Sequence, residues 1–571
     1  MTVRAKLLCN AKASRLFIAG NAAASGPYGI GDLAEKASTF GPLRNRAYRA
    51  FWTANMAANF GGMIQGVAAA WLMTTLTDSK SMVALVQAST TLPILVFSLA
   101  AGALADTVDR RIIMLSSQIF MLGSSLVLAI LAYAGLLTPW LLLTLTFLVA
   151  SGQAMNLPSW QATVGDIVPR EDLGQAILLN GIGANATRTV GPAIGGIIVA
   201  TAGPAVAFVI NTVSYLGLIS VLLRAKSFAS SSGLPREPIA RAVGAGLRYV
   251  FMSPNVEKVI LRASVFGISA VAVQALLPLV ARDMLGGGAS TYGALLGLFG
   301  LGAILGAFAS VRIRERLGNE WTIRFSFLLL AAAATTIGAD GPDWVVYVAM
   351  LVAGTCWIGA LALFNVSVQF ATPRWVVARA LSVYQTAVFG GMAAGSWLWG
   401  QVAEAYGLST AFYAAAALGC VGAAIGFWLS MPDRTVENLA PVNRWQEPKL
   451  AIDLEQRSGP ILISVEYIIP DDKVPEFLEL MGARRRIRRR NGAHHWTLTR
   501  DLEHSDLWTE SYQLANWIEY VRHNQRTTHA DAENSEKLRA IHAGKGPPEI
   551  HRSIVRPPWR QDAEHPRAAH W

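Results

Sequence analysis

The chain has 571 residues, 53% hydrophobic and 15% charged, with a formal net charge of +11. A soluble globular chain carries about 25% charged residues, so a disordered, collagen-like or disulfide-rich protein and an evenly basic nucleic-acid binder are all excluded. The excess charge is uneven: residues 432–571 hold 21 Lys+Arg and 21 Asp+Glu, whereas residues 1–431 hold 27 and 16.

In chain order, residues 1–41 are rich in Ala, Gly and Ser and are expected to form a flexible arm. A membrane span needs about 20 mostly apolar residues. Twelve stretches qualify: 48–74, 81–105, 112–134, 139–160, 175–200, 203–223, 258–281, 290–311, 322–338, 344–370, 379–402 and 408–430. The expected fold class is an all-α polytopic membrane protein of 12 transmembrane helices, with a first six-helix half at 42–224, a linker at 225–256 and a second half at 257–431. The arm and the loops after even-numbered spans hold 24 Lys+Arg, the opposite loops hold two, Lys80 and Arg282, and Arg188 falls inside span five. Cytoplasmic loops carry the Lys/Arg excess, so both termini are expected in the cytoplasm and the chain in the plasma (inner) membrane. Cys9, Cys356 and Cys420 are scattered, and no disulfide or metal site is expected.

The two halves repeat. Gly102 and Gly306, Pro169-Arg170 and Pro373-Arg374, Ala176 and Ala380, and Gly191 and Gly395 all lie 204 positions apart. One offset over three helix pairs indicates duplication of a six-helix unit in the same orientation, hence two parallel halves with a site near mid-membrane between them. Small residues recur at four-residue spacing in span five (Gly183, Thr187, Gly191, Gly195), span eight (Gly293, Gly297, then Gly302, Gly306) and span eleven (Gly391, Gly395). Such spacing lets helix backbones approach closely, and these stripes are expected to face the other half.

Polar residues inside spans are costly and tend to face a cavity or a partner. Asn55, Asn59, Gln65, Gln153, Gln161, Asn365 and Gln369 are expected to line a substrate cavity, with Trp357 as a flat apolar wall; helix–helix hydrogen bonding is the alternative for each. Gln161 and Asn365 share the 204 offset and are expected to face each other across the pseudo-axis. Arg188, one turn before Gly191-Pro192, would cost about 2.5–3.5 kcal/mol if left unpaired in the bilayer. It is expected to face the cavity and attract an anionic or catecholate-like group, with a structural anchor as the alternative. No span carries Asp or Glu near its middle, so the residues name no proton carrier.

Residues 432–459 read as a linker, 460–556 as a folded domain and 557–571 as a tail. Strands are predicted at 461–469, 496–500, 507–512 and 550–555, and helices at 471–487, 515–525 and 531–542. That order predicts an α+β ferredoxin-like soluble domain. The basic run Arg484–Arg490 is expected either to touch anionic headgroups or to be a solvated helix end.

Gly102-Ala-Leu-Ala-Asp106, followed by Arg110-Arg111, resembles the loop motif between helices two and three of the major facilitator superfamily. The resemblance implies a cytoplasmic gate built from Gly102, Asp106, Arg110 and Arg111, although Thr107 and Asp109 depart from the pattern and Ser310 replaces Asp106 in the second-half copy. The segment Thr187–Gly196 resembles the helix-five motif of antiporters, which implies roles for Gly191, Pro192, Gly195 and Gly196. Pro158–Gln161, Val168–Arg170, Leu179-Asn180 and Arg188, with Arg488, Gly492-Ala493, Trp496, Asp501 and Trp517 in the tail, are similar to the transmembrane secretion effector group, which includes enterobactin exporters. The tail resembles antibiotic-biosynthesis monooxygenase-like domains, which often dimerise.

Together these resemblances imply a proton-driven exporter of the drug or siderophore class. Its partners would be membrane lipid, a small-molecule substrate, the proton gradient and a second copy through the tail, with no nucleic acid, no cofactor and no catalytic residue. The rival reading is an oxidoreductase-like or small-molecule-binding tail, with His494, His495 and Trp496 as its nearest candidates and the membrane part as anchor.

Overall fold

A computed structural model of the protein describes residues 41–169, 172–225, 239–339, 341–373, 375–432, 439, 442, 448 and 450–556. The arm before residue 41, much of the 225–256 and 432–459 linkers and the 557–571 tail lie outside the described residues, as do Arg170, Arg374 and the side chain of Asp106.

Six long helices build the first half: α1 (Arg46–Leu76), α2 (Lys80–Thr107), α3 (Arg110–Tyr133), α4 (Pro139–Ile167), α5 (Leu173–Ala202) and α6 (Pro204–Arg224). A short helix, α7 (Ile239–Phe251), follows. In the second half α8 (Pro254–Ala275) runs on through Leu277–Leu279 into a π-helical turn at Val280–Met284. Then come α9 (Ala289–Gly338), α10 (Asp343–Phe370), α11 (Val377–Tyr406) and α12 (Leu408–Ile425). The starts are written in the sequence. Ser79, Asp109 and Thr138 cap α2, α3 and α4 with side-chain oxygens, satisfying N–H groups that have no intrahelical partner. Asp109 thereby accounts for its own departure from the family motif: it is the N-cap of α3. Spans eight and nine form one continuous element, α9, broken only where Gly318 turns to φ +77°, a conformation glycine adopts without a Cβ penalty.

Among the described residues nine helical segments are long and apolar enough to cross a membrane: those of α2, α3, α4, α6, α8 with its extension, both arms of α9, α10 and α12. The remaining long helices, α1, α5 and α11, fall short of that measure. Glycines, alanines and amides dilute their apolar content.

The duplication is visible in the packing. Gly191 meets Met63 of α1, and its counterpart Gly395 meets Ile268 of α8, each inside its own half. Gly196 meets Gly293 of α9, and its counterpart Gly400 meets Ser81 and Ala84 of α2, each across the halves. Gly203 and Gly407, also 204 apart, both take positive φ (+84° and +91°) to turn the chain into α6 and α12. The two halves are joined chiefly along α2 with α11 and α5 with α9. This corrects the expectation for the small-residue stripes. Gly183, Gly191 and Gly195 face α1, Gly391 and Gly395 face α8, and Gly302 and Gly306 face α10, so most of them bind a half together; Gly196, Gly293, Gly297 and Gly300 face across.

The tail domain has four strands, β1 (Ile461–Ile468), β2 (His494–Arg500), β3 (Leu507–Leu514) and β4 (Glu549–Ile554), in the order β2-β3-β1-β4, all antiparallel. Helices α13 (Val474–Arg490), α14 (Trp517–Gln525) and α15 (His529–Ile541) complete it. Alternate residues of β1 and β3, including Ile463, Val465, Tyr467, Trp508 and Tyr512, form one core with Phe477, Met481, Tyr520 and Leu538 from the helices.

Candidate functional site: a cleft between the two halves

The α5–α9 crossing decides where the halves part. A Cβ on Gly293 would lie 2.7 Å from the Cα of Gly196, and one on Gly300 would lie 2.6 Å from the Cα of Thr189 and 2.8 Å from the Arg188 carbonyl. Towards the end that bears Arg110, Arg111 and Arg379, hereafter the arginine-rich end, the helices separate. Gly181 and Gly174 of α5 meet nothing within 4 Å, Ile177 and Ile182 are exposed, and Gly302 and Gly306 of α9 turn to α10. α5 and α9 therefore diverge at that end.

Arg188 sits at the fork: its backbone carbonyl lies against Gly300 of α9, while its side chain is exposed. On the same helix Val190, Ile194 and Ile197 are exposed on a different face, as suits lipid. On α4, Gln153 and Gln161 are exposed two turns apart on one line. On α10, Gln369 Nε2 donates to Asn365 Oδ1 (2.6 Å), joining those two amides. Asn55 and Asn59 on α1 are half-buried.

Two expected cavity residues lie elsewhere. Gln65 is buried between α1, α3 and α6, where its Oε1 accepts from Ser125 Oγ (3.0 Å) and from Asn211 Nδ2. Asn211 also donates to the Tyr215 hydroxyl (3.0 Å). Trp357 is buried against Phe266 and Phe299, with ring centroids 6.3 and 5.9 Å away. Both side chains turn into the packing between helices; hydropathy does not distinguish a cavity from the inside of a half.

The gate arginines hold the first half together. Arg110 Nη1 pairs with Asp166 Oδ2 at 2.5 Å, tying the start of α3 to the end of α4. Arg111 donates to the carbonyls of Leu222 and Leu223 (2.9 and 3.0 Å), at the C-terminus of α6, where a cation complements the helix dipole. Gly102 is half-buried, with open space around the site of a Cβ. Of the helix-five motif, Gly191 and Gly195 seat α1, while Pro192 and Gly196 present backbone to Gly293.

Arg188 is not the lone cation inside a span. Arg262 in α8 is fully buried, with Nη1 on Glu320 Oε2 (2.5 Å) and on the Leu429 carbonyl (3.1 Å). Glu320, in the first turn after the Gly318 break, also binds Arg324 Nε (2.5 Å) and the Met431 N–H (2.7 Å). A Cβ on Gly426 would collide with all three side chains. The signal for this knot was a basic residue four positions into span seven, which a loop tally of charges absorbs.

In the tail, Glu510 is fully buried against α13, where Arg484 and Arg488 approach it at 3.5 and 3.2 Å and Trp496 Nε1 donates at 3.0 Å. Burial opposes its ionisation, but Arg488, Arg484 and these hydrogen bonds outweigh that and hold the carboxyl at about 2. His523 is buried beside Arg488; burial first, and then that charge, push it down to about 3. It is therefore neutral, and the assigned tautomer donates from Nδ1 to the Asn491 carbonyl while Nε2 accepts from Arg488. The basic run is thus no uniform headgroup surface: Arg484, Arg488 and Arg490 turn inward and Arg485, Arg486 and Arg489 stay exposed. The domain meets the membrane part at the arginine-rich end. Arg490 lies over the Tyr249 ring of α7 (5.2 Å), Arg526 lies over Trp375 (4.3 Å), and Tyr249 and Trp375 meet edge to face at 5.8 Å.

This geometry has known counterparts. The family described as transmembrane secretion effector matches residues 37–558. The chain is 26% identical over 360 residues to an uncharacterized MFS-type transporter, YfiS, of Bacillus subtilis (strain 168), covering 60% of this chain and 82% of that one. It is 24% identical over 370 residues to the multidrug efflux pump Tap of Mycolicibacterium fortuitum, covering 63% and 90%. Among solved structures, a bacterial homologue of the lysosomal transporter Spinster, inward-facing and unoccupied, superposes with a TM-score of 0.54 at 15% identity, covering 68% of this chain and 97% of that one. The nucleoside transporter NupG gives 0.57 at 12% identity, covering 67% and 100%. The chain belongs to the transmembrane secretion effector family of the major facilitator superfamily and is a multi-pass membrane transporter.

Proposed function

We propose that the protein is a secondary active exporter of small amphipathic molecules of the drug or siderophore class, working by alternating access and proton antiport. The observation that carries this reading is Arg188, exposed at the point where α5 and α9 diverge between the halves. A guanidinium placed there attracts a carboxylate, a catecholate or another anionic group, and the amides of α4 and α10 supply neutral hydrogen-bonding partners. The similarity to an efflux pump supports the direction of transport. In this reading α1, α5 and α11 also span, giving twelve helices, and the arginine-rich end with the docked tail faces the cytoplasm of a cell with the transporter in its inner membrane. Asp106 and Arg110 serve the gate at that end.

The tail's strand order and its β-α-β-β-α-α-β sequence of elements, a β-α-β-β-α-β pattern with the second helix split in two, support a ferredoxin-like fold. The test is uptake into everted vesicles with and without a proton gradient. Arg188→Ala should abolish uptake of anionic substrates with normal membrane insertion, and Arg188→Lys should retain part of it. Full transport by Arg188→Ala would remove the substrate role, and uptake insensitive to an uncoupler would remove proton coupling.

A further inference from the structure

Two charges at the end opposite the arginine-rich one remain unexplained. Glu404, in the last turn of α11, belongs to the second half, yet its Oε2 accepts from Ser79 Oγ (3.2 Å) and from the backbone N–H of Ser81 (3.1 Å), at the N-terminus of α2 in the first half. Arg282, in the π-helical turn after α8, donates from Nη1 to the carbonyl of Thr74 (2.6 Å), in the last turn of α1, while its Nε and Nη2 hold Asp283. Each charge has the sign that its helix end demands: a carboxylate on free N–H groups and the positive end of a dipole, a guanidinium on a free carbonyl and the negative end. Both contacts run from second-half side chains to first-half helix ends, so both must break if the halves part here. Trp71 of α1 stacks on Tyr292 of α9 at the same end, with centroids 6.5 Å apart. Arg282 is also one of only two basic residues in loops otherwise depleted of them.

The register of α2 on α11 gives Glu404 a counterpart. The helices are antiparallel, and the numbers of paired residues add to 484 or 485: 84 with 400, 95 with 390, 98 with 386. The same register sets 404 opposite 80, the first residue of α2, and sets Asp106, in the last turn of α2, opposite 378, in the first turn of α11. An acidic residue near the C-terminal end of each helix therefore lies level with the N-terminus of the other, one at each end of the molecule.

We propose that Glu404, assisted by Arg282, is the gate residue of the end opposite the arginine-rich one. Its cap on α2 holds that end shut while α5 and α9 diverge at the arginine-rich end, and it is released when the halves rock the other way and Asp106 comes up to α11. The purpose of such a gate rests on the transporter reading; the contact itself does not.

The test is solvent access to a cysteine placed at Ser81, which is buried beneath Gly400, in a chain whose Cys9, Cys356 and Cys420 are serine. Vesicles of both orientations are labelled with a membrane-impermeant maleimide in the absence of substrate, so the outcome is independent of whether the protein exports a drug. Glu404→Ala should speed labelling about ten-fold, the shift expected when a charge-assisted bond is lost. Glu404→Gln, which keeps an acceptor oxygen, should give a smaller change. Glu404→Asp, which keeps the charge but shortens its reach to the α2 terminus, should speed labelling about two- to three-fold and decides the matter if Glu404→Ala fails to insert. Unchanged labelling in Glu404→Ala, or in Glu404→Asp where that variant stands in for it, overturns the proposal.

Discussion

The two halves share a backbone plan and are held together by different chemistry. Inside the first, the buried hub is neutral: Gln65, Ser125, Asn211 and Tyr215 exchange amide and hydroxyl hydrogen bonds between α1, α3 and α6. Inside the second, the hub is ionic: Arg262, Glu320 and Arg324 lock α8 to the second arm of α9 and to the chain that follows α12. Two pairs of the glycines that seat neighbouring helices, Gly191 with Gly395 and Gly196 with Gly400, recur at one offset, whereas the polar glue does not. Backbone approach is a geometric requirement of the shared fold, and only a missing Cβ meets it. Polar satisfaction has many solutions, so each half has its own.

That difference sets the scale of what mutations should do. Glu320→Gln leaves Arg262 buried without its counter-charge and should cost about 3–5 kcal/mol, read as a large drop in melting temperature of the purified protein; a change no bigger than that at Asn211 would erase the contrast between the halves. Glu510→Gln should act with similar force on the tail, because Arg484 and Arg488 lose their shared partner, and hydrogen exchange of β1 and β3 in the intact protein would report it.

Acid should weaken the tail in stages. His523 is neutral in the fold at about 3 against an unfolded value near 6.5, so its contribution is whole above pH 6.5 and is lost as pH falls towards 3, about 2 kcal/mol by pH 5. Glu510, held at about 2, contributes above its unfolded value and loses that only as pH falls through its folded one. Exchange protection of α14 should therefore drop between pH 7 and 5, and His523→Gln should flatten the drop.

Across the halves, Gly196→Ala meets backbone atoms of Gly293 and Ala289 and should cost about 1–3 kcal/mol, with loss of transport. Gly400→Ala meets the Ala84 side chain as well as Ser81 backbone and should cost less; equal effects would mean that the two crossings are not ranked by what the Cβ strikes. The smallest effect is expected for Asn211→Ala, about 0.6–1.7 kcal/mol, the range for a hydrogen bond between helices in lipid.

Much of this architecture is legible in the residues. The stretch 48–74 lies within α1 (Arg46–Leu76), 112–134 overlaps α3 (Arg110–Tyr133), and each of the four predicted tail strands overlaps an observed one, the first of them by its alternation. The repeat offset located the paired glycines, and the loop tally of basic residues singled out Arg188. Less legible was the rotation of each helix about its axis. Gly195 and Gly196 are neighbours in sequence but face different partners, α1 and α9, because one residue is about 100° of helix. The same rotation sends Gln65 and Trp357 inward and leaves Gln153 and Gln161 accessible.

The sequence by itself determined that this chain is apolar over membrane-spanning lengths, duplicated at one offset, asymmetric in charge and followed by a neutral α+β domain. Those properties are local or periodic, fixed by transfer free energy per residue and by spacing along one dimension. Only the tertiary structure decided which charges meet: Glu404 with Ser79 and Ser81 across more than 300 positions, Arg262 with Glu320, Arg490 over Tyr249. Pairing between distant residues depends on how helices cross and turn on their axes. Because burying one member of a pair without the other is costly, those crossings, more than any local propensity, set where the chain's few interior charges reside.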